Sequence, residues 1–372
     1  MLSIELVILL QERIRNVFNN LKSDVDAIVI KNSSEPFVDT NFFYVTGLKQ
    51  GLFEGSSAVL FPDGNADIIV SELEAESAKK SNANVIVYKK SSEFYELLKK
   101  SLGASKKIGL NFNGILFLDY LRIQKNLPDK DFTDVSSGFL EVRMVKDEEE
   151  INKIREASRI VDIVAGKIPE IVHEGMHEYE LAAEINYLMQ KNGADKIAFD
   201  TISSFGKNSA EPHYSHGDSK VHKGDFVLCD FGASFKLYNS DITRTFVFGS
   251  PSQKQKKIHE TVLNAQKIGF EKIKAGVEAH TVHDEVDAFI NKSEFKGRFI
   301  HSTGHSLGLS VHDGGVGFNS ESKVVLKENM VLTVEPGVYI SGFGGVRIED
   351  DIVVKSDGLE ILTKSSRDLI EI

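Results

Sequence analysis

The chain has a single cysteine, no block of basic residues, and no apolar run near the roughly 18 residues that a membrane-spanning helix needs. Each shortage closes off a class of protein. Cys229 has no partner for an internal disulfide, which fits a reducing compartment and makes the cytoplasm the simple expectation. A formal net charge of -11 without a basic patch argues against a nucleic-acid partner, because phosphate binding needs a local excess of lysine and arginine. The apolar segment Leu2 to Leu10 is interrupted by Glu5, with no basic residue before it and no small-residue cleavage site after it. It reads as the start of a helix continuing through Arg13, Ile14 and Val17, so no membrane partner is expected. Low-complexity segments and residue-level repeats are also missing.

At 372 residues, with 41% hydrophobic and 27% charged side chains, the chain exceeds the size of one ordinary core, so two globular domains are expected. In the first part, short apolar runs at Ala27–Ile30, Ala58–Phe61, Ile68–Val70, Val85–Tyr88 and Lys107–Leu110 alternate with amphipathic segments such as Glu93–Leu102. That pattern predicts an α/β domain with a turn at Gly64. A boundary is placed after residue 140, near Ser136-Ser137-Gly138 and the charge run Lys146–Glu150. The acids Asp147–Glu150 tempt a metal-site reading, but acids in a helix first turn are stabilised by its macrodipole, and that reading is preferred. Residues 141–372 then show helices followed by strands, twice over: helices to Asn192, strands over Phe199–Phe248, helices over Gln253–Ala275 and Val282–Asn291, and strands from Phe299 onward. This predicts an α+β domain with a coarse internal duplication.

Chemistry concentrates in that second part. A strand ending Leu228-Cys229-Asp230 returns as Asp241-Ile242-Thr243-Arg244-Thr245-Phe246, and period-two alternation places Asp241 on one face with Thr243, where Asp230 can meet it. Two carboxylates beside Val227, Leu228 and Phe231 would repel and lose hydration unless a cation or proton sat between them. A second pair, Glu335 and Glu349, follows β-branched runs in Val331-Leu332-Thr333-Val334-Glu335 and Gly345-Val346-Arg347-Ile348-Glu349. Glu349 is preferred over Asp350 and Asp351 because it shares a strand face with Arg347. The glycine-rich stretch from His301 to Asp313 contributes His301, His305 and His312. Any one of these acids read alone is a strand-end carboxylate; four in one domain, with an imidazole, form an oxygen-rich donor set that favours Mn²⁺, Co²⁺ or Fe²⁺ over a structural zinc site.

These motifs, in this order, resemble the pita-bread metallopeptidase family of Xaa-Pro aminopeptidases, Xaa-Pro dipeptidases (prolidases), methionine aminopeptidases and metal-free creatinases. Asn41-Phe42-Phe43-Tyr44-Val45-Thr46-Gly47 is similar to the opening of the creatinase-type N-terminal domain, which methionine aminopeptidases lack. The resemblance implies two divalent ions, manganese first, with cobalt, iron or zinc as alternatives. Asp230, Asp241, His305, Glu335 and Glu349 would be their ligands, Asp241 and Glu349 bridging. It implies an activated water as nucleophile, Glu335 as proton shuttle, His213 and His312 as groups that hold substrate and stabilise the oxyanion, and His301 as a wall of the proline pocket. Arg347 is expected at the substrate site, fixing a ligand carboxylate, with Tyr238 and Thr243 as weaker supporting candidates. Cys229 should face away from Asp230 as core filling.

The implied substrates are short proline-containing peptides and the implied assembly is a homodimer. Many prolidases of this type carry an arginine shortly after the second histidine to pair with a substrate carboxylate. Here His312-Asp313-Gly314-Gly315-Val316-Gly317-Phe318 has none, which tilts the expectation toward an Xaa-Pro aminopeptidase, with the dipeptidase as the alternative. A creatinase-like hydrolase and a non-catalytic peptide-binding module are disfavoured, since both would be expected to have lost ligands.

Overall fold

The computed structural model describes residues 4–49 and 51–372, so Leu2 lies outside the described residues. The chain separates into two compact units, Met1–Arg143 and Met144–Ile372.

In the first unit, α1 (Ile4–Asn19) buries Leu10, Ile14 and Val17, the three-to-four spacing of one helical face. Helix α2 (Thr40–Thr46) holds the Asn-Phe-Phe-Tyr motif between an Asp39 N-cap and a left-handed Gly47 C-cap. Short α3 (Ala75–Ala78), α4 (Phe94–Leu102), α5 (Phe117–Asn126) and α6 (Ser136–Met144) complete the helices. The strands are β1 (Ala27–Lys31), β2 (Ser57–Leu60), β3 (Ala66–Ser71), β4 (Asn84–Tyr88), β5 (Lys107–Leu110) and β6 (Asp131–Asp134). They form one mixed sheet in the order β4-β3-β2-β1-β5-β6. Strands β1, β2 and β3 pair antiparallel, whereas the β3–β4, β1–β5 and β5–β6 pairs are parallel. Edge strand β6 has no apolar run to announce it, only Phe132 and Thr133 between two aspartates.

In the second unit, α7 (Glu148–Ile171) begins with a reciprocal capping box between Asp147 and Glu150. That is the helix first turn expected of those acids. After α8 (Glu178–Lys191) come β7 (Lys196–Ile197), β8 (Ile202–Phe205), β9 (Phe226–Phe231), β10 (Ala233–Phe235), β11 (Tyr238–Asn239) and β12 (Ile242–Val247). Helices α9 (Gln253–Lys272) and α10 (Ala279–Lys292) follow. Then come β13 (Gly304–His305), β14 (Gly317–Phe318), β15 (Val331–Val334), β16 (Gly337–Ile340), β17 (Gly344–Arg347), β18 (Asp350–Val354) and β19 (Leu359–Ile361).

A helix pair and a three-stranded antiparallel sheet thus occur twice, with sheet orders β12-β9-β8 and β15-β18-β19. Helix α7 packs Ile160, Val161, Val164 and Ile168 against Val227, Cys229 and Phe231 of the first sheet; Leu332, Val334, Ile352 and Val354 anchor the core of the second. An α/β unit with a mixed sheet, followed by an α+β unit with this duplication, is the fold class expected above. The expectation of strands from Phe299 onward needs correction, because residues 299–330 are mostly irregular, with the two-residue β13 and β14 pair and a few isolated bridges such as Ser306 to Leu332. Glycines at 304, 308, 314, 315 and 317 deprive that stretch of the branched side chains that hold a ladder together. Among the described residues, no helix is long and apolar enough to cross a membrane.

Candidate active site

Each acid reaches the site through strand geometry. On β9, Asp230 stands between Ile202 of β8 and Thr243 of β12, so the residue directly across from it is Thr243. The direct pairing of Asp230 with Asp241 is therefore a diagonal one: Asp241 precedes β12, two residues from Thr243 and on the same face. Two backbone bonds from the Asp241 N–H to the Asp351 carboxylate, at 3.1 and 3.2 Å, hold it there. Glu349 lies in the break between β17 and β18, its N–H donating to the Thr243 carbonyl at 3.2 Å. Glu335 follows β15 directly, tied by its N–H to the Thr303 carbonyl at 2.8 Å.

Beside it, Gly304 precedes His305 because a Cβ there would stand 2.0 Å from the Thr333 carbonyl oxygen. Only glycine allows the loop so close to β15. Asp350 and Asp351 point elsewhere. Asp350 accepts from Arg244, Arg367, Gln266 and Thr363, and Asp351 supports Asp241 from behind while accepting from Ser158 at 2.9 Å.

The site is a cavity of about 500 Å³. Asp230, Asp241, His305, Glu335 and Glu349 line its floor, with His213, His301, His312 and Arg347 around them and Phe199, Ile202, Pro212 and Val311 as apolar wall. Ligand atoms of Asp241, His305 and Glu349 lie within 4.8 Å of one another. The His305 Nε2 is 3.6 Å from both Asp241 Oδ2 and Glu335 Oε1. Its Nδ1 faces the Ser306 carbonyl at 3.2 Å, so that nitrogen carries the proton and Nε2 turns a lone pair toward the acids.

Arg347 donates to Asp230 Oδ2 at 2.5 Å, to the Thr243 hydroxyl at 3.0 Å and to the Tyr339 hydroxyl at 2.8 Å. The Thr243 hydroxyl in turn donates to Glu349 Oε2 at 2.6 Å. Tyr339 meets His301 Nε2 at 2.8 Å, while His301 Nδ1 bonds the Ser302 carbonyl at 2.8 Å. A carbonyl only accepts, so Nδ1 is the protonated nitrogen of the neutral ring and the phenol donates to Nε2.

The electrostatics are those of a cation site. Burial, then the charges of Glu349 and Asp230, hold the Asp241 carboxyl far above its ordinary range. Glu349 is likewise raised by burial and by Glu335. Burial lifts Glu335 to about 8 against the pull of Arg347. His305 drops to about 4 through burial and the neighbouring His312, and His301 to about 4 through burial and Arg347. One oxygen each of Asp230 and Asp241, both Oδ1, is buried with no hydrogen-bond partner among the described residues. Buried acceptors of this kind, beside an unprotonated imidazole nitrogen, fit hard divalent cations.

All nine expected site residues line this one cavity. Tyr238 does not; its hydroxyl bonds Glu150 at 3.0 Å, on α7. Cys229 is fully buried in the core between Ser203 and Arg244, and burial pushes its thiol pKa up. Sequence reasoning missed Tyr339, whose role only the folded hairpin reveals. The hairpin of β16 and β17 sets Gly337 opposite Arg347 and Tyr339 two residues along the same face. A Cβ at Gly337 would lie 2.4 Å from the Tyr339 hydroxyl, so the glycine makes room for the phenol to reach the guanidinium.

Residues 152–356 match metallopeptidase family M24, and residues 12–145 match the creatinase/prolidase N-terminal domain. The Xaa-Pro dipeptidase of Pyrococcus horikoshii is 38% identical over 366 residues, covering 97% of this chain and 99% of that protein. An Xaa-Pro dipeptidase structure from Bacillus anthracis aligns with a TM-score of 0.90 at 32% identity, covering 98% of this chain and 100% of that one. The X-Pro aminopeptidase structure from Thermotoga maritima aligns at 0.88 and 34% identity, covering 94% of this chain and 98% of that one. A carboxylate-rich pocket suited to divalent cations, on a fold shared over nearly its whole length with these enzymes, makes the chain a member of metallopeptidase family M24.

Proposed function

We propose that the protein is a divalent-metal-dependent Xaa-Pro dipeptidase, with Asp230, Asp241, His305, Glu335 and Glu349 as ligands for two ions, manganese by preference. The observation that carries this reading is the convergence of four carboxylates and one unprotonated imidazole nitrogen in a cavity with an apolar wall. The dipeptidase names of similar proteins weigh for the dipeptide over longer substrates. When bound, the cations supply Lewis-acid chemistry, acidifying a water and polarising the scissile carbonyl.

The chain's own groups do the rest. Glu335, a cavity carboxylate 3.6 Å from the His305 ring, is placed to accept the proton of the attacking water and deliver it to the leaving prolyl nitrogen. His213 and His312 face the cavity as N–H donors for the developing oxyanion. His312 has its pKa lowered by burial and by His213, so it donates as a neutral ring. Phe199, Ile202 and Val311 offer a dry surface to the proline ring, and Tyr339 fixes the orientation of His301 beside them. Arg347 serves Asp230 and the ligand set. A reducing cytoplasm and a homodimer belong to the same proposal, and light scattering tests the second.

One observation favours a second reading, the Xaa-Pro aminopeptidase. Among the described residues lining the cavity, Arg347 is the lysine or arginine present, and its guanidinium is committed to Asp230, Thr243 and Tyr339. A free substrate carboxylate would need its cation from elsewhere. Turnover of an Xaa-Pro dipeptide and of the matching Xaa-Pro-Xaa tripeptide with Mn²⁺ separates the two. The dipeptide should be cleaved with the higher kcat/KM; a tenfold preference for the tripeptide establishes the aminopeptidase instead.

A further inference from the structure

The loop that carries Pro212 and His213 into the cavity has little regular structure between the 3₁₀ turn at Gly206–Ala210 and β9. Several contacts hold its conformation, among them His216 Nδ1 with the Thr201 carbonyl at 3.0 Å and the Tyr179 N–H with the Gly217 carbonyl at 3.1 Å, and one buried side chain gathers four more. Glu178, the first residue of α8, has a fully buried side chain, and both its oxygens are used. Oε1 accepts from the Phe205 N–H at 2.7 Å and from Asn208 Nδ2 at 3.0 Å. Oε2 accepts from the Tyr214 hydroxyl at 3.0 Å and from the Gly217 N–H at 3.0 Å. Asn208 Nδ2 also stands 3.0 Å from the Tyr214 hydroxyl and 2.9 Å from the Ser219 hydroxyl, which brings the 3₁₀ turn and the far side of the loop together. Gly217 is needed for the approach, since a Cβ there would meet the Tyr214 hydroxyl at 2.7 Å.

A buried carboxylate is costly to keep unless its lone pairs are satisfied, and here four donors satisfy them, two from the end of β8 and the 3₁₀ turn and two from the loop itself. The donors span residues 205 to 217 and bracket His213. Directly before His213 the Pro212 ring restricts the backbone; directly after it Tyr214 is fastened to Glu178. The imidazole therefore stands between two restrained neighbours, although its own ring is exposed.

We propose that Glu178 is a positioning residue for catalysis: through Tyr214, Asn208 and two backbone amides it sets where His213 stands over the cavity. It acts on substrate and transition state without touching either, and it leaves the metal ligands alone, since those sit on other elements. This inference rests on the reading of His213 as a substrate-binding group of a peptidase.

The test is a double-mutant cycle between Glu178→Gln and His213→Ala, with metal content measured throughout. The amide keeps the size of the carboxylate but points a donor at groups that already donate. Glu178→Gln alone should lower kcat/KM on an Xaa-Pro dipeptide at least tenfold, with Mn²⁺ content unchanged. In the His213→Ala background the same substitution should cost less than twofold. An equal cost in both backgrounds, or a kcat/KM within twofold of the parent, overturns the proposal. Tyr214→Phe removes one of the four donors and should give a smaller loss with the same dependence on His213; it carries the cycle if Glu178→Gln does not fold. If the parent enzyme cleaves no Xaa-Pro peptide, the substrate reading fails separately and amide hydrogen exchange decides. Exchange at Phe205 and Gly217 faster by tenfold or more in Glu178→Gln, with the rest of the chain unchanged, supports the positioning role, and unchanged exchange there sinks it.

Discussion

Arg347 and Asp230 form a 2.5 Å ion pair inside the cavity, between the guanidinium NH2 and Oδ2, and Oδ1 of the same carboxylate is buried without a hydrogen-bond partner among the described residues. The guanidinium spans to Thr243, and Thr243 to Glu349, so one buried arginine orients two acids of the set at once.

Replacing Arg347 with methionine should strand the Asp230 charge and free Glu349 from its relay. Outer partners of metal ligands are commonly worth roughly 10–100-fold in metal affinity or activity, and a loss in that range is expected here, read as Mn²⁺ affinity by calorimetry. Arg347→Lys should not rescue it, because a single ammonium cannot meet Asp230, Thr243 and Tyr339 together.

Gly304→Ala should act on the site without altering any polar group. Its methyl would overlap the Thr333 carbonyl, and moving the loop displaces His305, the next residue. Overpacking of this kind costs about 1–3 kcal/mol, and the thermal midpoint should fall accordingly. The sharper readout is Mn²⁺ affinity, which should drop at least tenfold. Unchanged affinity would show that the loop shifts without carrying His305 along.

Stabilisation by metal should grow with pH. In the folded chain without cations, Glu335 titrates at about 8, above its ordinary value, so between about 4.5 and 8 the folded state binds more protons than the unfolded one. Stability from this group therefore falls as pH rises, and Asp241 and Glu349 act in the same direction. His301 and His305, lowered to about 4, work oppositely, adding stability as pH rises from about 4 to 6.5. Cations bind the deprotonated acids, so the rise in melting temperature on adding Mn²⁺ should be larger at pH 8 than at pH 5.5. Equal rises at both would contradict these directions.

Lys146 and Asp313 should matter more than their distance from the acids suggests. Their pair, 3.5 Å apart with side chains 0% and 4% exposed, lies at the base of the loop carrying His305 and His312. Lys146→Met removes the ammonium 3.5 Å from the buried Asp313 carboxylate and should lower stability in denaturant unfolding. Adding Asp313→Leu should recover part of that stability but not the KM, since the loop anchor stays lost.

Much of the cavity lining was legible because acids and histidines at strand ends leave local traces. Apolar runs ending in an acid flagged Asp230 and Glu335, and period-two reasoning chose Glu349 over Asp350, which proves to face Arg244 and Arg367. Register was not legible. The ten residues between Asp230 and Asp241 hold a small hairpin, β10 and β11, turning at Lys236 and Leu237 with positive φ, and no local pattern told how far it would shift the pairing. Tyr339 and Glu178 escaped because a buried tyrosine or a helix-start glutamate looks the same whether or not it holds something distant.

The amino-acid sequence by itself determined the alternation of helices and strands, the division of the chain into an α/β and an α+β part, and the acids and histidines able to hold cations, since each follows from periodicity, turn chemistry or side-chain donor type. Tertiary structure alone decided which oxygens face one another, which nitrogen of His301 and His305 carries the proton, and how Arg347, Thr243 and Glu178 hold residues far from them in the chain. Those properties depend on distances of a few ångströms between remote segments. Such distances are set by packing and strand register, which no local run of residues encodes.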